Sequence, residues 1–303
     1  MNAEQHALKS GLVALAGPPN TGKSTLLNRL IGQKLAIVSP KPQTTRVRML
    51  GVLNGDNYQI VLVDTPGLHQ SRSSLNKKMV RVAESALADV DMALFVVDAQ
   101  EKLSPQKAEE ICGYLRMIAA PVILLLNKID LLEKDALLPL IAFWRQARDF
   151  VAIMPISAMT GEGLDAVIKE VVASLSYGPR YFPDDIPTDA NERFIAAEII
   201  REKIFLRTGQ EVPYSTAVVV ESFTMDQPGH VTIHAAIVVK RDSQKAIIIG
   251  KGGEKLKEIG ILARKEIESM LEARVMLKLW VKVKKDWSED KMFLAELGFT
   301  PGQ

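Results

Sequence analysis

Eight consecutive residues, Gly17-Pro18-Pro19-Asn20-Thr21-Gly22-Lys23-Ser24, have the types and spacing of a phosphate-binding loop, G-x-x-x-x-G-K-[ST]. Glycines let the backbone curl until successive N–H groups face one anion, and a helix beginning at Ser24 adds the positive end of its dipole. Lys23 brings a charge to the β- and γ-phosphates, and the Ser24 hydroxyl, followed by Thr25, is placed for Mg²⁺. A second cluster is Asp64-Thr65-Pro66-Gly67, followed by Leu68. An aspartate at a strand end can hold Mg²⁺ through water, and a glycine N–H can meet a γ-phosphate with no side chain in the way.

The third cluster, Asn127-Lys128-Ile129-Asp130, selects a base. A carboxylate only accepts hydrogen bonds. Guanine offers N1–H and its N2 amino group side by side, whereas adenine lacks the amino group and presents an acceptor at N1. Asp130 therefore favours guanine and disfavours an ATP site. Lys128 can lay its stem over the base, and Asn127 can tie the phosphate loop to the base loop. Ser157-Ala158 is expected to wall the base pocket, with the Ala158 N–H toward guanine O6.

These clusters need a scaffold that brings loops together. Apolar runs at Leu12–Ala16, Val47–Leu53, Ile60–Val63, Ala93–Val97, Val122–Leu126 and Ala152–Pro155 read as strands. Helical stretches at Ser24–Ile31, Asn76–Ala88, Gln106–Met117 and Leu164–Leu175 lie between them, which argues an α/β layer with a mostly parallel sheet. Asn54-Gly55-Asp56-Asn57 joins two of the strands as a hairpin, so one antiparallel edge strand is expected. The clusters then fall at strand ends.

The chain has 303 residues, enough for two domains at about 150 residues each. With 47% hydrophobic and 24% charged residues it reads as an ordinary soluble globular protein. Cys112 is the only cysteine, which excludes an internal disulfide and argues against a cysteine-bound zinc. Met1–Ser10 lacks a signal-peptide core, and the apolar run Ala119–Leu126 is far short of the ~20 residues that span a bilayer. A cytoplasmic protein is expected.

The four clusters, Gly17–Ser24, Asp64–Gly67, Asn127–Asp130 and Ser157–Ala158, together resemble the translation-factor-related P-loop GTPases. Pro42-Gln43-Thr44-Thr45-Arg46, at the switch I position, resembles the Era branch of that class, the group that also holds TrmE and EngA. The likeness covers roughly residues 10–175. It implies GTP with Mg²⁺ and a switch I threonine on the metal, with Thr44 and Thr45 both open. It also exposes a gap. Leu68 stands where Ras-like enzymes carry a glutamine that orients water, and leucine cannot do so. His69 follows as a weak candidate base, and Arg46 and Arg48 are nearby without the marks of an arginine finger. No catalytic residue is assigned. The resemblance offers another route, since Asn20 matches the asparagine that binds K⁺ in some relatives. Slow, K⁺-stimulated hydrolysis is the expectation.

Beyond residue 176 the composition changes. Residues 177–190 hold three prolines and a glycine and read as a linker between a first domain at 1–176 and a second at 191–303. The second domain reads as a helix (Asn191–Arg207), two strands (Thr216–Phe223 and His230–Val239), two helices about a glycine turn (Gln244–Leu271) and a strand (Met276–Lys284). The turn is Gly250-Lys251-Gly252-Gly253, with Lys255 and Leu256 on the next helix. Such a turn lets an RNA backbone approach closely. Lys240–Lys285 holds 13 Lys/Arg against 6 Asp/Glu, a basic stretch in a chain of net charge +2. On the last strand Lys278, Trp280, Lys282 and Lys284 alternate with apolar residues, which reads as a lysine-flanked tryptophan facing solvent and able to stack a base, or as an edge strand guarded by lysines. Met292, Phe293, Leu294, Leu297 and Phe299 form an amphipathic tail expected to pack on its own domain, with peripheral membrane contact as the lesser role.

This second half resembles an α+β type II KH domain. A P-loop GTPase domain followed by such a domain is similar, along nearly the whole chain, to the ribosome-assembly members of the Era family. That likeness implies a monomeric GTP-hydrolysing switch that binds 16S rRNA near its 3′ end during assembly of the 30S subunit, with peripheral association at the inner membrane as a further candidate. Two other readings compete: a constitutive RNA-binding module with a structural nucleotide site, and a GTPase of tRNA modification. The latter needs a reactive cysteine or a cofactor domain, and Cys112 lies in an expected helix of the first half.

Overall fold

The computed structural model describes residues 8–41, 44–68, 74–209 and 211–299. They form two compact units, one within Met1–Ala36, Thr45–Arg72 and Asn76–Asp189, the other within Ile37–Thr44, Ser73–Leu75 and Ala190–Gln303. The Thr44–Thr45 peptide bond is thus one of the points at which the chain passes from one unit to the other.

In the first unit β1 (Leu8–Ala16) leads through the phosphate loop into α1 (Lys23–Ile31). Then come β2 (Met49–Gly55), β3 (Tyr58–Asp64), α2 (Ser74–Ala88), β4 (Met92–Asp98), α3 (Pro105–Arg116), β5 (Val122–Asn127), α4 (Leu137–Trp144), β6 (Ala152–Ile156), α5 (Leu164–Ser174) and the short β7 (Tyr177–Gly178). The main strand order is β2-β3-β1-β4-β5-β6, parallel except for β2, which runs antiparallel to β3 at the edge. Val122–Asn127 is buried along its whole length, as a central strand covered on both faces must be. One core cluster gathers Ala14, Ala16, Leu68, Phe95, Leu124, Leu126 and Trp144, and a second gathers Leu50, Val61, Val63 and Ala86. Phe95 is fully buried, and truncating such a ring costs about 3–5 kcal/mol.

The expected strands and helices are present with ends shifted by a few residues, but α4 is an addition. Its sequence, Leu-Leu-Pro-Leu-Ile-Ala-Phe-Trp, is apolar all round and has no helical period to read. Pro139 looks like a breaker, yet it sits in the first turn, where its missing N–H has no intrahelical partner to lose.

The linker is fastened to the first unit. Gln59 donates to the Phe182 carbonyl at 2.8 Å and accepts from the Tyr181 and Phe182 N–H groups at 2.7 and 3.0 Å. Along the free edge of β2, Val52 N–H donates to the Pro187 carbonyl at 2.8 Å, and Thr188 donates to the Leu50 carbonyl at 2.6 Å. Prolines suit such an edge because they make few demands on the ladder.

The second unit holds α6 (Glu192–Arg207), β8 (Ala217–Gln227), β9 (His230–Val239), α7 (Asp242–Ile249), α8 (Glu254–Leu271), β10 (Arg274–Val283) and α9 (Lys291–Glu296). Asn191 caps α6 by accepting from the Phe194 N–H at 2.9 Å. The sheet order is β10-β9-β8, with β9 antiparallel to β8 and parallel to β10. In the tail, Phe293 and Leu294 are buried and Trp287 meets Phe293 edge to face at 6.0 Å, so these side chains serve the unit's own core. Among the described residues no helix is long and apolar enough to cross a membrane.

Candidate nucleotide and nucleic-acid sites

The phosphate loop, Asp64, Asp98 and Asn127 all lie at the same ends of neighbouring strands, because parallel strands deliver their following loops to one edge of the sheet. Gly17 (φ 133°) and Gly22 (φ 99°) hold backbone angles that L side chains rarely adopt. A side chain on Gly22 would strike the Asn127 amide at 2.2 Å. Asn20 takes a positive φ of 63°, which asparagine tolerates, and is exposed.

Lys23 is buried, and its ammonium donates to the Gly17 and Pro18 carbonyls at 3.0 and 2.7 Å. Burial lowers its pKa to about 8 against the opposing charge of Asp64. Burial raises Asp64 to about 6, while the Lys23 charge and hydrogen bonds from Ser24, Thr45 and the Thr65 backbone pull the other way. The Ser24 hydroxyl donates to Asp64 Oδ2 at 2.9 Å, Thr45 donates to the same oxygen at 3.2 Å, and the two hydroxyls are 2.8 Å apart. Asp64 Oδ1 is buried with no hydrogen-bond partner. Two hydroxyls and a carboxylate with an orphaned oxygen are a set of hard oxygen donors, the kind that Mg²⁺ takes. These residues fit the metal. Thr44 does not share this position: its hydroxyl donates to the Lys41 carbonyl at 2.9 Å.

Leu68 is buried in the core with Ala14, Ala16 and Phe95, and its N–H donates to the Gly17 carbonyl at 3.1 Å. The position that lacks a water-orienting side chain is thus an anchor for the loop. Thr65 donates to the Leu15 carbonyl at 2.9 Å, and a side chain on Gly67 would meet the Pro19 backbone at 2.9 Å, so Asp64–Gly67 lies close against the phosphate loop. Arg46 is buried and Arg48 exposed. His69, Pro42 and Gln43 lie outside the described residues.

At the base end Asn127 is the tie that its position suggests. Its amide donates to the Thr21 carbonyl at 2.7 Å, and its Oδ1 accepts from the Ala158 N–H at 2.9 Å. The N–H expected to face guanine O6 is therefore also a partner of Asn127. Lys128, at φ 71°, reaches Asp98 at 2.5 Å, which fixes its stem. Asp130 sits in a single 3₁₀ turn, Ile129–Leu131, and is exposed. Ser157 is fully buried and accepts from the Thr160 N–H at 3.1 Å.

In the second unit Gly250, Gly252 and Gly253 have φ of 73°, 61° and 82°, so the turn requires glycine at three of its four positions. Beside it lies a cavity of about 370 Å³, with Gly253, Leu256, Lys257, Gly260, Ile261 and Arg264 on one side and Leu277 and Leu279 of β10 on the other. Lys257, Gly260, Ile261 and Arg264 were not singled out in the sequence. Their signal is spacing along α8, since steps of three and four place them on one face. Lys278, Trp280 and Lys282 alternate with Leu277 and Leu279 and so belong to the opposite face of β10. There Trp280 is half-buried, His234 meets it edge to face at 6.1 Å, and Lys282 lies 5.6 Å from its ring centre while paired with Glu221 at 2.6 Å.

Two family models match the chain: a GTPase described as 50S ribosome-binding over residues 12–128, and a KH domain over residues 211–288. The GTPase Era of Geobacter metallireducens is 55% identical over 293 residues, spanning 96% of this chain and 98% of that protein. The chain belongs to the Era family of GTPases. Era from Lactobacillus delbrueckii subsp. bulgaricus is 47% identical over 96% of both chains. Among solved structures, an Aquifex aeolicus Era variant bound to GDP·AlF4⁻ aligns at 41% identity and a TM-score of 0.91, covering 97% of this chain and all of that one. Era in complex with MgGDPNP and nucleotides 1506–1542 of 16S ribosomal RNA aligns at 42% identity and 0.92, with the same coverage. The fold is accordingly an Era-type α/β GTPase unit followed by a KH unit.

Proposed function

We infer that this chain is a GTP-hydrolysing switch that binds 16S rRNA near its 3′ end and assists assembly of the small ribosomal subunit. The observation that carries the reading is the coexistence, in one Era-family chain, of a buried phosphate site with guanine-selecting Asp130 and a glycine-turn cavity lined by Lys257 and Arg264. Choice of the small subunit rests on the 16S fragment held by the similar Era structure. Gly17–Thr25 and Asp64–Leu68 take the phosphates, and Asn127–Asp130 with Ser157–Ala158 take the base. Ser24 and Thr45 would hold Mg²⁺ directly and Asp64 through water, and the metal would neutralise charge on the β- and γ-phosphates.

Gly250–Gly253 and Lys255, with Lys257 and Arg264, would hold a single strand whose phosphates give affinity and whose bases enter the cavity. Lys278, Trp280 and Lys282 join this surface only if RNA continues past the edge of β10. Asn20 is the candidate K⁺ ligand; turnover several-fold faster in K⁺ than in Na⁺ supports it, and equal turnover removes it. A cytoplasmic monomer fits a ribosomal partner. Peripheral contact with the inner membrane would have to use residues other than Phe293, Leu294 and Phe299, which are buried.

Crosslinking the bound RNA in cells and sequencing it tests the proposal. Enrichment of the 3′ end of 16S rRNA is expected, and enrichment of tRNA instead would overturn it. Complete absence of detectable GTP hydrolysis would favour the constitutive RNA-binding module.

A further inference from the structure

We propose that Gly260, in the interior of α8, is a specificity-determining residue for RNA: by carrying no side chain it leaves room in the cavity for a two-ring base, so that one position of the bound strand is read as a purine. The proposal rests on the reading above that RNA bases enter this cavity.

Glycine is a poor residue for the interior of a helix of 18 residues, since it loses more backbone freedom on folding than alanine does and adds no contact. At Gly250 the backbone itself demands glycine, with φ at 73° and the Lys255 Cβ only 2.8 Å from where a methyl would stand. Gly260 is different. Its backbone is ordinary helix, and a methyl there would meet the Leu279 Cδ1 at 3.6 Å, a normal van der Waals distance, with nothing closer among the described residues. Alanine would fit this position and favour the helix.

What the methyl would occupy is cavity. α8 turns Ile259, Ala263 and Ile267 into the core, where all three are fully buried. Gly260 lies on the neighbouring face with Lys257 and Arg264, at steps of three and four, and borders the space of about 370 Å³ that Leu277 and Leu279 close from the β10 side. A slot with two leucines on one wall and bare helix backbone on the other suits the face of a base, while the exposed Lys257 and Arg264 suit phosphates. A one-ring base would leave space for a methyl at residue 260. The second ring of a purine takes that space, which gives the helix a reason to carry glycine.

The full-length protein and its Gly260→Ala, Gly260→Leu and Lys257→Ala variants should be titrated with an RNA of nucleotides 1506–1542 of 16S rRNA, the fragment held by the similar Era structure. A companion set of RNAs replaces each purine in turn by uridine. Gly260→Ala should weaken binding about tenfold, the scale of one methyl forced into a filled site, and Gly260→Leu should weaken it further. At one purine, replacement by uridine should weaken binding to the wild-type protein yet leave Gly260→Ala unchanged or improved, because both changes remove the same fit. Lys257→Ala takes away a charge and no room, so it should weaken all these RNAs alike. The thermal midpoint of RNA-free Gly260→Ala should equal or exceed that of the wild type, so that its binding loss is not a loss of folding.

RNA affinity within about twofold of wild type in both Gly260 variants would overturn the proposal and leave RNA binding by the unit intact. A Gly260→Ala loss that is the same whichever purine is replaced would overturn it too. Wild-type protein that binds this RNA no better than an unrelated RNA of equal length would instead overturn the RNA reading, and the role of Gly260 with it.

Discussion

Burial sets Asp64 near pKa 6 and Lys23 near 8, so both titrate close to neutral pH. The folded pKa of Asp64 lies above its ordinary 3.8, so the native state binds that proton more tightly than the unfolded chain does. Its contribution to stability is present at low pH and is lost as pH rises from about 4 to about 6. Lys23 is shifted down, so it disfavours folding while charged in both states, and that penalty fades as pH rises from about 8 toward 10.5. On the proposed reading, in which Asp64 holds Mg²⁺ through water, metal binding needs its carboxylate. Apparent Mg²⁺ affinity of the GDP complex should therefore fall as pH drops below about 6, toward about tenfold per unit, with proton release in calorimetry; Asp64→Asn should bind Mg²⁺ weakly and flatten that dependence. Asp130 makes a separate prediction. Asp130→Asn places an amide opposite guanine N1–H and N2, and losing hydrogen bonds to a charged acceptor should weaken GTP by at least about tenfold while barely changing ATP in competition binding.

At the scale of elements, the glycine turn between α7 and α8 is the most constrained segment of the second unit. Gly250 has φ 73° and ψ 178°, a region essentially restricted to glycine, and a methyl there would meet the Lys255 Cβ at 2.8 Å. Gly250→Ala should cost about 1–3 kcal/mol in the unfolding of that unit and lower RNA affinity, with GTP hydrolysis in the absence of RNA unchanged. Chemical denaturation, RNA titration and a GTPase assay read the three effects. The motif was legible in the sequence because only glycine relieves this geometry. The groove around it was not, since Lys257, Ile261 and Arg264 join Leu277 and Leu279 only once α8 lies over β10. Helix α4 escaped for the opposite reason: a segment apolar on every side carries no period.

For the whole molecule, the reading requires RNA affinity to differ between nucleotide states, since only a difference in binding free energy can couple two sites. RNA binding measured with GDPNP and with GDP should give different affinities, and identical values would remove the coupling. Salt dependence maps the RNA surface. Lys257→Ala and Arg264→Ala should each reduce the slope of log affinity against log salt by about 0.7, the value for one phosphate contact on a single strand. Lys278→Ala and Lys282→Ala should leave the slope unchanged; a drop would mean that the strand also crosses the outer face of β10.

The sequence by itself showed the phosphate-loop pattern, an aspartate of the type proposed to select guanine, the order of the GTPase and KH units and the glycine turn, because each depends on local residue types at short spacing. Tertiary structure decided what depends on partners distant in the chain. It brought Thr45, and not Thr44, to Ser24 and Asp64, though both are threonines one residue apart. It buried Leu68 as an anchor where a water-orienting residue was looked for, and fastened the linker through Gln59. No local pattern encodes such a contact, because it exists only when folding brings the two segments within hydrogen-bonding distance and excludes water from between them.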